Sequence, residues 1–167
     1  MTVIDENHAL VKRPKETFPA AILETNIFRN EVTHIIGKDW LIDMARFLKG
    51  DKDLKMNYLS DIAGVDYFPR TPRFEVVYHF YSVSKKLRLR LKVRIEDNER
   101  VPSLTGLWRS AAVAEREVFD MFGIVFEGHE GLRRIYLPAD WDGFPLRKDY
   151  PLRGYKDQYN PSGEEKK

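Results

Sequence analysis

The sequence predicts an α+β fold: a two-layer sandwich of a mainly antiparallel sheet with helices packed on one face, followed by a long extended C-terminal arm. Residues 74–95 alternate between apolar and polar side chains in two runs joined by a short connection, which indicates an antiparallel hairpin. Residues 39–50 and 107–122 place apolar side chains three and four positions apart, which indicates two helices. Beyond residue 126 neither period continues, and recurring prolines exclude long regular elements.

These patterns divide the chain into four parts. We expect residues 1–18 to be a flexible N-terminus and residues 19–126 to form the α+β domain. Residues 127–161 are predicted to form the extended, partner-binding arm, and residues 162–167 a disordered tail, because chain ends are often poorly ordered. A chain of 167 residues is long enough for one domain plus such an appendage. Cutting the chain after Phe126 is therefore expected to leave a folded domain.

The first half of the domain reads as strand, helix and strand. β-Branched residues predict the first strand over residues 27–37. The helix follows at once, with Asp39 as its expected N-cap and Gly50 as its end. Residues 54–69 then read as a second strand, in which Gly64 is a candidate for a bulge.

The second half of the domain contains the clearest pattern. Residues 74–81 and 87–95 form the predicted hairpin, which buries one face and leaves the other in water. The wet face of the second strand is basic, with Arg88, Arg90, Lys92 and Arg94. The helix over residues 107–122 is expected to end at Gly123, because glycine readily adopts the left-handed conformation that ends helices.

The composition excludes several classes of function. The 28 basic residues nearly cancel the 26 acidic ones, and the net charge of +2 gives no strong attraction to nucleic acid or membrane. Because the chain has no cysteine, it has no disulfide, thiolate metal site, thiolate-ligated iron–sulfur cluster or cysteine nucleophile. The first residues lack the apolar core of a signal peptide, and no run approaches the roughly 18 apolar residues of a membrane span. We therefore expect a cytosolic protein, or one peripheral to a membrane complex.

The segment after residue 126 is too aromatic to be read as simple disorder. Disordered chains are poor in aromatic residues because they cannot bury them. Tryptophan, tyrosine and arginine together are typical of protein interfaces, where they contribute most of the binding energy. The segment contains six aromatic residues and four arginines: Tyr136, Trp141, Phe144, Tyr150, Tyr155, Tyr159, Arg133, Arg134, Arg147 and Arg153.

A cluster of acids lies on the second predicted helix and ends near a histidine. Its members are Glu115, Glu117, Asp120 and His129. Carboxylates with a histidine can bind hard divalent cations or non-haem iron. On a helix, however, positions 115 and 117 point about 200° apart and do not converge on one ion. Arg116 can pair with Asp120, one turn away. No nucleophile has a spacing that suggests activation, so the alternatives are a solvated helix face and a face that contacts a partner, and we favour the second.

The residues after this helix leave two readings open. Arg133 and Arg134 can make bidentate contacts with carboxylates of a partner, or can turn back to Glu115 and Glu117 and brace the junction. His129 lies between glycines and is interpreted as a turn residue bonded to backbone rather than as a proton donor. Further on, we expect a docked segment to be fixed by Arg147, Lys148, Asp149 and Tyr150.

A function of another class is a single-strand nucleic-acid-binding module that uses the basic face over residues 88–94. Such modules stack bases on aromatic residues of a sheet beside a positive groove. The simple alternation, however, places the aromatic residues Phe74, Tyr78 and Phe80 on one face, where they are better used as core. Basic strand faces also protect sheets against aggregation, so this reading is not favoured.

One family combines these features. It is identified by the segment before the second helix, by the acidic helix and the residues after it, and by the later string GFPLRKDYPL (residues 143–152). Over residues 102–152 the chain resembles the C-type subunit, or thirty-kilodalton subunit, of proton-pumping NADH:quinone oxidoreductase (NDH-1), also called respiratory complex I. The matching residues include Glu115, Arg116, Glu117, Asp120, Phe122, Gly123, Phe126, Gly128, His129, Leu132, Arg133, Arg134 and Ile135.

The resemblance implies a scaffold in the hydrophilic peripheral arm of complex I. It implies packing against the D-type subunit and near the B-type subunit, which together form the quinone site; the B-type subunit bears the last iron–sulfur cluster. No cofactor is expected on this chain: NAD, FMN, the iron–sulfur clusters and quinone belong to other subunits. We expect no nucleic-acid partner, a position at the cytoplasmic face of the plasma membrane, and membrane association only through the complex. The family signature and expected partner interface comprise Glu115, Arg116, Glu117, Asp120, Gly123, His129, Arg133, Arg134, Trp141, Arg147, Lys148, Asp149 and Tyr150.

Two residues depart from the family pattern, and one related assignment stays open. Val113 stands where family members commonly have tryptophan, which changes one packing site. Glu130 stands where they commonly have proline, which is expected to loosen the turn at His129. Equivalent subunits also occur in membrane-bound hydrogenases and in ferredoxin-driven relatives of complex I, so the sequence leaves the electron donor of the complex open.

Overall fold

The structure is a computed structural model that describes residues 4–165. It has the predicted α+β architecture, with more elements than the sequence patterns indicated. In chain order they are α1 (Ala9–Thr17), β1 (Ile22–Phe28), β2 (Glu31–Ile36), a short 3₁₀ turn (Lys38–Trp40), α2 (Leu41–Gly50), β3 (Tyr58–Asp66), β4 (Phe74–Ser82), β5 (Leu87–Ile95), β6 (Arg100–Pro102), α3 (Ala111–Phe122) and β7 (Val125–Glu127).

The main sheet has five strands in the order β1-β2-β5-β4-β3. All neighbouring pairs are antiparallel except β2 and β5, which are parallel. The prediction of a mainly antiparallel sheet is therefore confirmed. Strands β6 and β7 form a separate parallel pair beside it.

The hairpin of β4 and β5 confirms the clearest sequence pattern. Val76 lies opposite Val93 and Tyr78 opposite Leu91, and all four side chains are fully buried. Alternate residues of β5 are basic and lie on the opposite face, because successive side chains of a strand point to opposite sides. The apolar face of the sheet therefore faces the core.

One core joins the helices to this face of the sheet. The second layer of the sandwich comes from all three helices, whose buried residues belong to the same cluster as those of the strands. From the helices, the fully buried apolar side chains are Leu10, Val11, Leu41, Met44, Ala45, Leu48 and Ala111.

The first predicted strand is a hairpin instead. Residues 27–37 were expected to be one strand, whereas the chain reverses at Arg29 and Asn30 between β1 and β2. Both residues have positive φ, 49° and 63°, as in the type I′ turns that join tightly paired strands. Such turns favour Asn-Gly or Gly-Gly, so an arginine at the first position hides the turn in the sequence.

The N-terminus corrects a second expectation. Residues 9–17 form α1, so the prediction of a flexible segment over residues 1–18 is wrong there; residues 1–3 lie outside the described part of the chain. Pro14 lacks an N–H and so leaves the carbonyl of Leu10 without its helical donor. The buried His34 of β2 donates from Nε2 to that carbonyl at 2.9 Å, while its Nδ1 lies 2.9 Å from the hydroxyl of Thr25. A side chain of the sheet thus replaces the missing helical bond.

The middle elements differ in detail from the sequence expectations. Asp39 lies within the 3₁₀ turn and does not cap α2, whose N-cap residue is Trp40 without a side-chain bond. The irregularity in β3 lies between Leu59 and Asp61 rather than at Gly64. Glycine is needed at position 64 for packing rather than for a bulge. A Cβ there would lie 2.6 Å from the ring of Phe122, so glycine allows α3 to pack closely on β3.

Candidate functional site

Helix α3 spans Ala111–Phe122 and is followed by its C-cap Gly123, the predicted stop. Gly123 has a φ of 76°, which suits glycine, and a Cβ there would lie 2.5 Å from the ring of Phe144. The glycine therefore ends the helix and also allows a residue of the later segment to pack against the turn.

Glu115 is a buried structural residue. Its side chain is fully buried; the N–H of Leu104 and the hydroxyl of Ser103 each donate to it at 2.6 Å. Burial raises the pKa of Glu115, although these two hydrogen bonds favour the ionised form. Glu117, in contrast, is exposed and accepts from the hydroxyl of Tyr136 at 3.2 Å. The two glutamates therefore lie on different sides of the helix, as the helical geometry required.

Asp120 is the centre of the junction between the domain and the later segment. Its Oδ2 accepts from the N–H groups of Ile135, Tyr136 and Leu137 at 2.9, 2.8 and 3.1 Å. Its Oδ1 accepts from Arg134 at 2.8 Å. Burial disfavours the charge, but the hydrogen bond from Arg134 and the three N–H groups outweigh it, so the pKa of Asp120 is lowered. The carboxylate thus fixes the direction in which the chain leaves the domain.

Arg134 braces this junction. Besides Asp120, its guanidinium donates to the carbonyls of Trp141 and Gly143 at 3.0 and 2.9 Å and lies over the ring of Phe144. Its side chain is 14% exposed, which leaves little of it for a partner. Of the two readings left open by the sequence, bracing is correct for Arg134, although its acid is Asp120 rather than Glu115 or Glu117.

Arg116 and Arg133 behave differently from the expected pairing. Arg116 does not pair with Asp120; it donates to the carbonyls of Arg133 and Arg134 at 3.1 and 3.0 Å. The side chain of Arg133 is exposed and is a cation available at the surface. Arg116 therefore holds the backbone on which Arg133 is presented.

His129 is a turn residue, as the sequence suggested. The N–H of Gly131 donates to its Nδ1 at 3.0 Å, so Nε2 carries the proton and donates to the carbonyl of Ala112 at 3.0 Å. The turn is thus held without the proline that Glu130 replaces. Val113 is 53% exposed, so the smaller residue there leaves no gap in the core.

Residues 144–149 are docked on their own domain. The N–H of Leu146 donates to the carbonyl of Met121 at 3.1 Å, and Nε of Arg147 to that of Phe122 at 2.6 Å. The guanidinium of Arg147 also lies over the rings of Phe74 and Phe144. The prediction of an arm extending over residues 127–161 is therefore wrong for this part, because its backbone and Arg147 bind the end of α3 and the start of β4.

A further buried carboxylate, Asp66, lies at the end of β3 and was missed by sequence reasoning. Arg73 donates to both of its oxygens, at 3.0 and 2.8 Å, and the N–H of Lys148 donates to it at 2.8 Å. Arg73 also pairs with Asp149 at 2.7 Å and with Asp97 at 2.8 Å. Burial opposes the charge on Asp66, but Arg73 and the N–H donors lower its pKa to about 2. This network attaches the later segment to the sheet.

The last part of the chain is folded in turns. Tyr150 packs edge-on against Tyr155, and Trp141 stacks on Tyr159, whose hydroxyl donates to Asp140 at 3.0 Å. A disordered tail was predicted over residues 162–167, but Glu164 donates to and accepts from the backbone of residues 154 and 156. The prediction is thus wrong for residues 162–165, and residues 166–167 lie outside the described part of the chain.

Although the C-terminal segment is bound to the domain, several of its large apolar side chains are exposed to solvent. Leu152 is fully exposed and Leu146 is 51% exposed, with the exposed Lys148 and Arg153 near them in the chain. Tyr136 and Tyr159 are also exposed. We call Leu146, Lys148, Leu152 and Arg153 the outer patch. It lies within the predicted partner-binding arm, and of its four residues only Lys148 belongs to the predicted interface.

The acidic cluster has no catalytic or metal-binding geometry. Within residues 4–165, no group of three or more His, Cys, Asp and Glu side chains is placed to hold a metal ion. Glu115 and Asp120 are each fully bonded to the chain's own donors, and His129 bonds to backbone. The arrangement can therefore fix the chain, and it presents no free acid–base pair to a substrate.

Comparison with known proteins identifies the family. The family model described as respiratory-chain NADH dehydrogenase, 30 Kd subunit, matches residues 35–156, more than half of the chain. The chain belongs to this family. The resemblance seen in residues 102–152 is thus confirmed and extends into the N-terminal half.

The relatives of this 30 kDa family member are C-type subunits of NADH-quinone oxidoreductase. The second such subunit of Rhizobium meliloti (strain 1021) is 54% identical over 125 residues, which cover 75% of this chain and 69% of that protein. The relative from Roseiflexus sp. (strain RS-1) is 48% identical over 148 residues, covering 88% and 85%. The relative from Geotalea uraniireducens (strain Rf4) is 43% identical over 155 residues, covering 92% and 93%.

A solved structure has the same fold. It is a chain of the membrane-bound sulfane sulfur reductase, an archaeal respiratory membrane complex, with a TM-score of 0.75 and 27% identity over 89% of this chain and 87% of that one. As a member of a family of complex subunits, this chain has other subunits as its partners. Among the helices of residues 4–165, none is long and apolar enough to cross a bilayer.

Proposed function

We propose that the chain is a non-catalytic scaffold subunit of the peripheral arm of an NADH:quinone oxidoreductase. In this role it docks on the D-type subunit, near the B-type subunit that carries the last iron–sulfur cluster, and so supports electron transfer from NADH to quinone coupled to proton translocation. NAD, FMN, the clusters and quinone are bound by other subunits. The chain reaches the cytoplasmic face of the membrane through the complex alone.

The observation that carries this proposal is the outer patch. Residues 132–150 are tied to the domain through Asp120 and Asp66, yet Leu146 and Leu152 point into water. Apolar side chains beside cations are typical of interface anchors with a charged rim. Because the backbone is already fixed, docking costs little further ordering, which favours affinity.

The charges of the outer patch indicate its partner surface. Lys148 and Arg153 are exposed, whereas the nearby acid Asp149 is already paired with Arg73. A partner surface with an apolar depression and carboxylates at its rim therefore fits best. Burying one leucine fully contributes about 1.5–3 kcal/mol, so the two leucines together carry a substantial share of a docking energy.

The double substitution Leu146→Asp and Leu152→Asp in the full chain tests this proposal. We expect the variant to fold normally, because both side chains are exposed, but to be lost from the complex purified after mild membrane extraction. The reason is that two carboxylates would be buried against an apolar, acid-rimmed surface. The measurement is the ratio of this chain to the D-type subunit in the purified complex.

The matched control is Val83→Asp. Val83 is 57% exposed, in the turn between β4 and β5, away from the outer patch. The Val83→Asp variant should assemble into the complex as the unmodified chain does. If the double variant co-purified at the unmodified ratio, the outer patch would not be the docking surface.

A related complex with another electron donor is the second candidate, favoured by the similarity to a chain of the sulfane sulfur reductase. The higher identities, 43–54%, are with C-type subunits of NADH-quinone oxidoreductase, which supports NADH as the donor. We expect the purified complex to contain an NADH-oxidising module and to reduce quinone with NADH. A complex lacking that module, which accepts electrons only from ferredoxin or hydrogen, would favour the second candidate.

A further inference from the structure

The two edge strands of the five-stranded sheet differ in how far the rest of the chain covers them. Strand β3, at one edge, lies beside α3, where the hydroxyl of Ser110 donates to the carbonyl of Leu59 at 3.0 Å, and its last residue, Asp66, binds the docked segment. Strand β1, at the other edge, pairs with β2 on one side only. Its outer side is the open edge of the sheet.

The tight turn after β1 defines which backbone groups face outward. Across a two-residue hairpin turn, the flanking pair Phe28 and Glu31 exchanges hydrogen bonds, and bonded and non-bonded pairs then alternate. Asn26 and Glu24 therefore bond to β2, whereas Thr25 and Ile27 direct their N–H and C=O groups outward. Within residues 4–165, no backbone group outside the strands donates to or accepts from Thr25 or Ile27.

The side chains of β1 do not protect this edge. Natural edge strands usually carry several charges, prolines or bulges that prevent further pairing. From Ile22 to Phe28 the only ionisable residue is Glu24, and the irregularity lies before it, which leaves residues 24–28 in regular pairing. Leu23 and Phe28 are 70% and 67% exposed. An unprotected edge with exposed apolar side chains is well suited to strand addition.

We infer that the edge of β1 accepts an extended segment of a neighbouring subunit as a sixth strand. The segment pairs through the outward groups of Thr25 and Ile27 and covers Leu23 and Phe28 with apolar side chains. It carries a carboxylate near the turn, because Arg29 lies over the ring of Phe28 and no acid within residues 4–165 pairs with it. This inference rests on membership of a multisubunit complex, and it is independent of the outer patch.

Amide hydrogen exchange, resolved to single residues, tests the inference. It is measured on the isolated full chain and on the assembled complex. In the isolated chain the N–H groups of Thr25 and Ile27 should exchange fast, and those of Asn26 and Phe28 slowly. In the complex the exchange of Thr25 and Ile27 should slow by on the order of 100-fold, as expected for amides that gain a stable hydrogen bond.

The alternation of fast and slow exchange along β1 distinguishes an added, hydrogen-bonded strand from a partner that only covers the edge. If Thr25 and Ile27 exchanged equally fast in the isolated chain and in the complex, the inference would be overturned, while co-purification would leave the scaffold role intact. Protection in the isolated chain that rises with its concentration would make the occupant a second copy and would likewise overturn it. A chain that fails to enter the complex at all would instead contradict the proposed function.

A second measurement uses the side chains. The variant Leu23→Lys with Phe28→Lys places two charges on the edge, and its recovery in the complex should fall about tenfold, which corresponds to about 1.4 kcal/mol. Val83→Lys, with a similarly exposed apolar residue, is the matched control. Equal recovery of both variants would contradict the assignment of β1 to an interface.

Discussion

At the scale of single residues, the candidate site depends on carboxylates that are buried yet bonded to this chain's own donors. Asp120 accepts from Arg134 and three backbone N–H groups, and Asp66 from Arg73 and Lys148. A buried charge without such donors would cost several kcal/mol. Asp120 and Arg134, which belong to the family motif, therefore act on the fold, which explains why an acidic helix with no catalytic geometry carries a recognisable motif.

Replacing Asp66 with Asn should destabilise the protein and change its response to acid. The folded pKa of Asp66, about 2, lies below its ordinary value of 3.8. Its contribution, about 2 kcal/mol, is therefore fully present above pH 4 and is lost as the pH falls toward 2. We expect the variant to be less stable at pH 7 and to lose less stability than the unmodified chain between pH 4 and pH 2, as measured by urea unfolding.

The control for this substitution is Asp61→Asn on the same strand, where the side chain is exposed. It should leave both the stability at pH 7 and its acid dependence nearly unchanged. If the free energy of unfolding fell equally for the unmodified chain and for Asp66→Asn between pH 4 and pH 2, Arg73 would not be lowering the pKa of Asp66.

The sequence predicted some of these residues and missed others for a physical reason. Gly123 and His129 were placed correctly because a helix stop and a turn are local. Arg134 was expected near acids of α3, but the chosen acids were Glu115 and Glu117, since no local rule shows that Asp120 accepts the following backbone. Asp66 was missed because its partners are distant in sequence.

At the scale of elements, a helix or strand was predicted correctly where a local residue pattern alone determined it. Strands β4 and β5 were predicted because alternation extends over both of them. The hairpin of β1 and β2 was missed because its turn uses Arg29 rather than glycine. Helix α1 was missed because Pro14 argues against a helix, and the compensating donor, His34, lies on another strand.

Cutting the chain after Phe126 is now expected to destabilise the domain rather than release it intact. The cut removes Arg147, which lies over the ring of the buried Phe74, and it removes the donors Arg134 and Lys148 from the buried carboxylates Asp120 and Asp66. Exposing a buried aromatic side chain costs about 1.5–3 kcal/mol, against a total stability of typically 5–15 kcal/mol. We expect a lower midpoint of thermal unfolding and aggregation of the cut chain.

The control is a cut after Pro151, which keeps Arg147 and Asp149 on the sheet. This chain should keep most of its thermal stability and lose only the turns that follow. If the chain cut after Phe126 unfolded at the same temperature as the full chain, residues 127–150 would not be part of the domain.

At the scale of the whole molecule, the distribution of charge decides between a protein partner and a nucleic acid. The basic row of β5 is largely neutralised: Glu75, itself buried, pairs with Lys92 and Arg94 at 2.7 and 3.2 Å, and Glu31 pairs with Arg90 at 2.9 Å. The aromatic residues of β4, Phe74, Tyr78 and Phe80, are buried in the core on the opposite face and cannot stack on bases. What the sequence presented as a positive groove is therefore a network of ion pairs across the strands.

This network predicts that the full chain does not bind single-stranded oligonucleotides at about 150 mM salt. Binding that depends on phosphate contacts requires cations that can release counterions, and its affinity falls steeply as salt rises. Cations already paired with Glu75 and Glu31 gain little by exchanging one anion for another, and the net charge of +2 adds little attraction. An electrophoretic shift assay, with a known single-strand-binding protein as positive control, should show free oligonucleotide at every protein concentration. A retarded band would contradict this prediction. If the affinity also fell with rising salt as expected for several phosphate contacts, nucleic acid would be displacing Glu75 and Glu31 from the basic residues of β5.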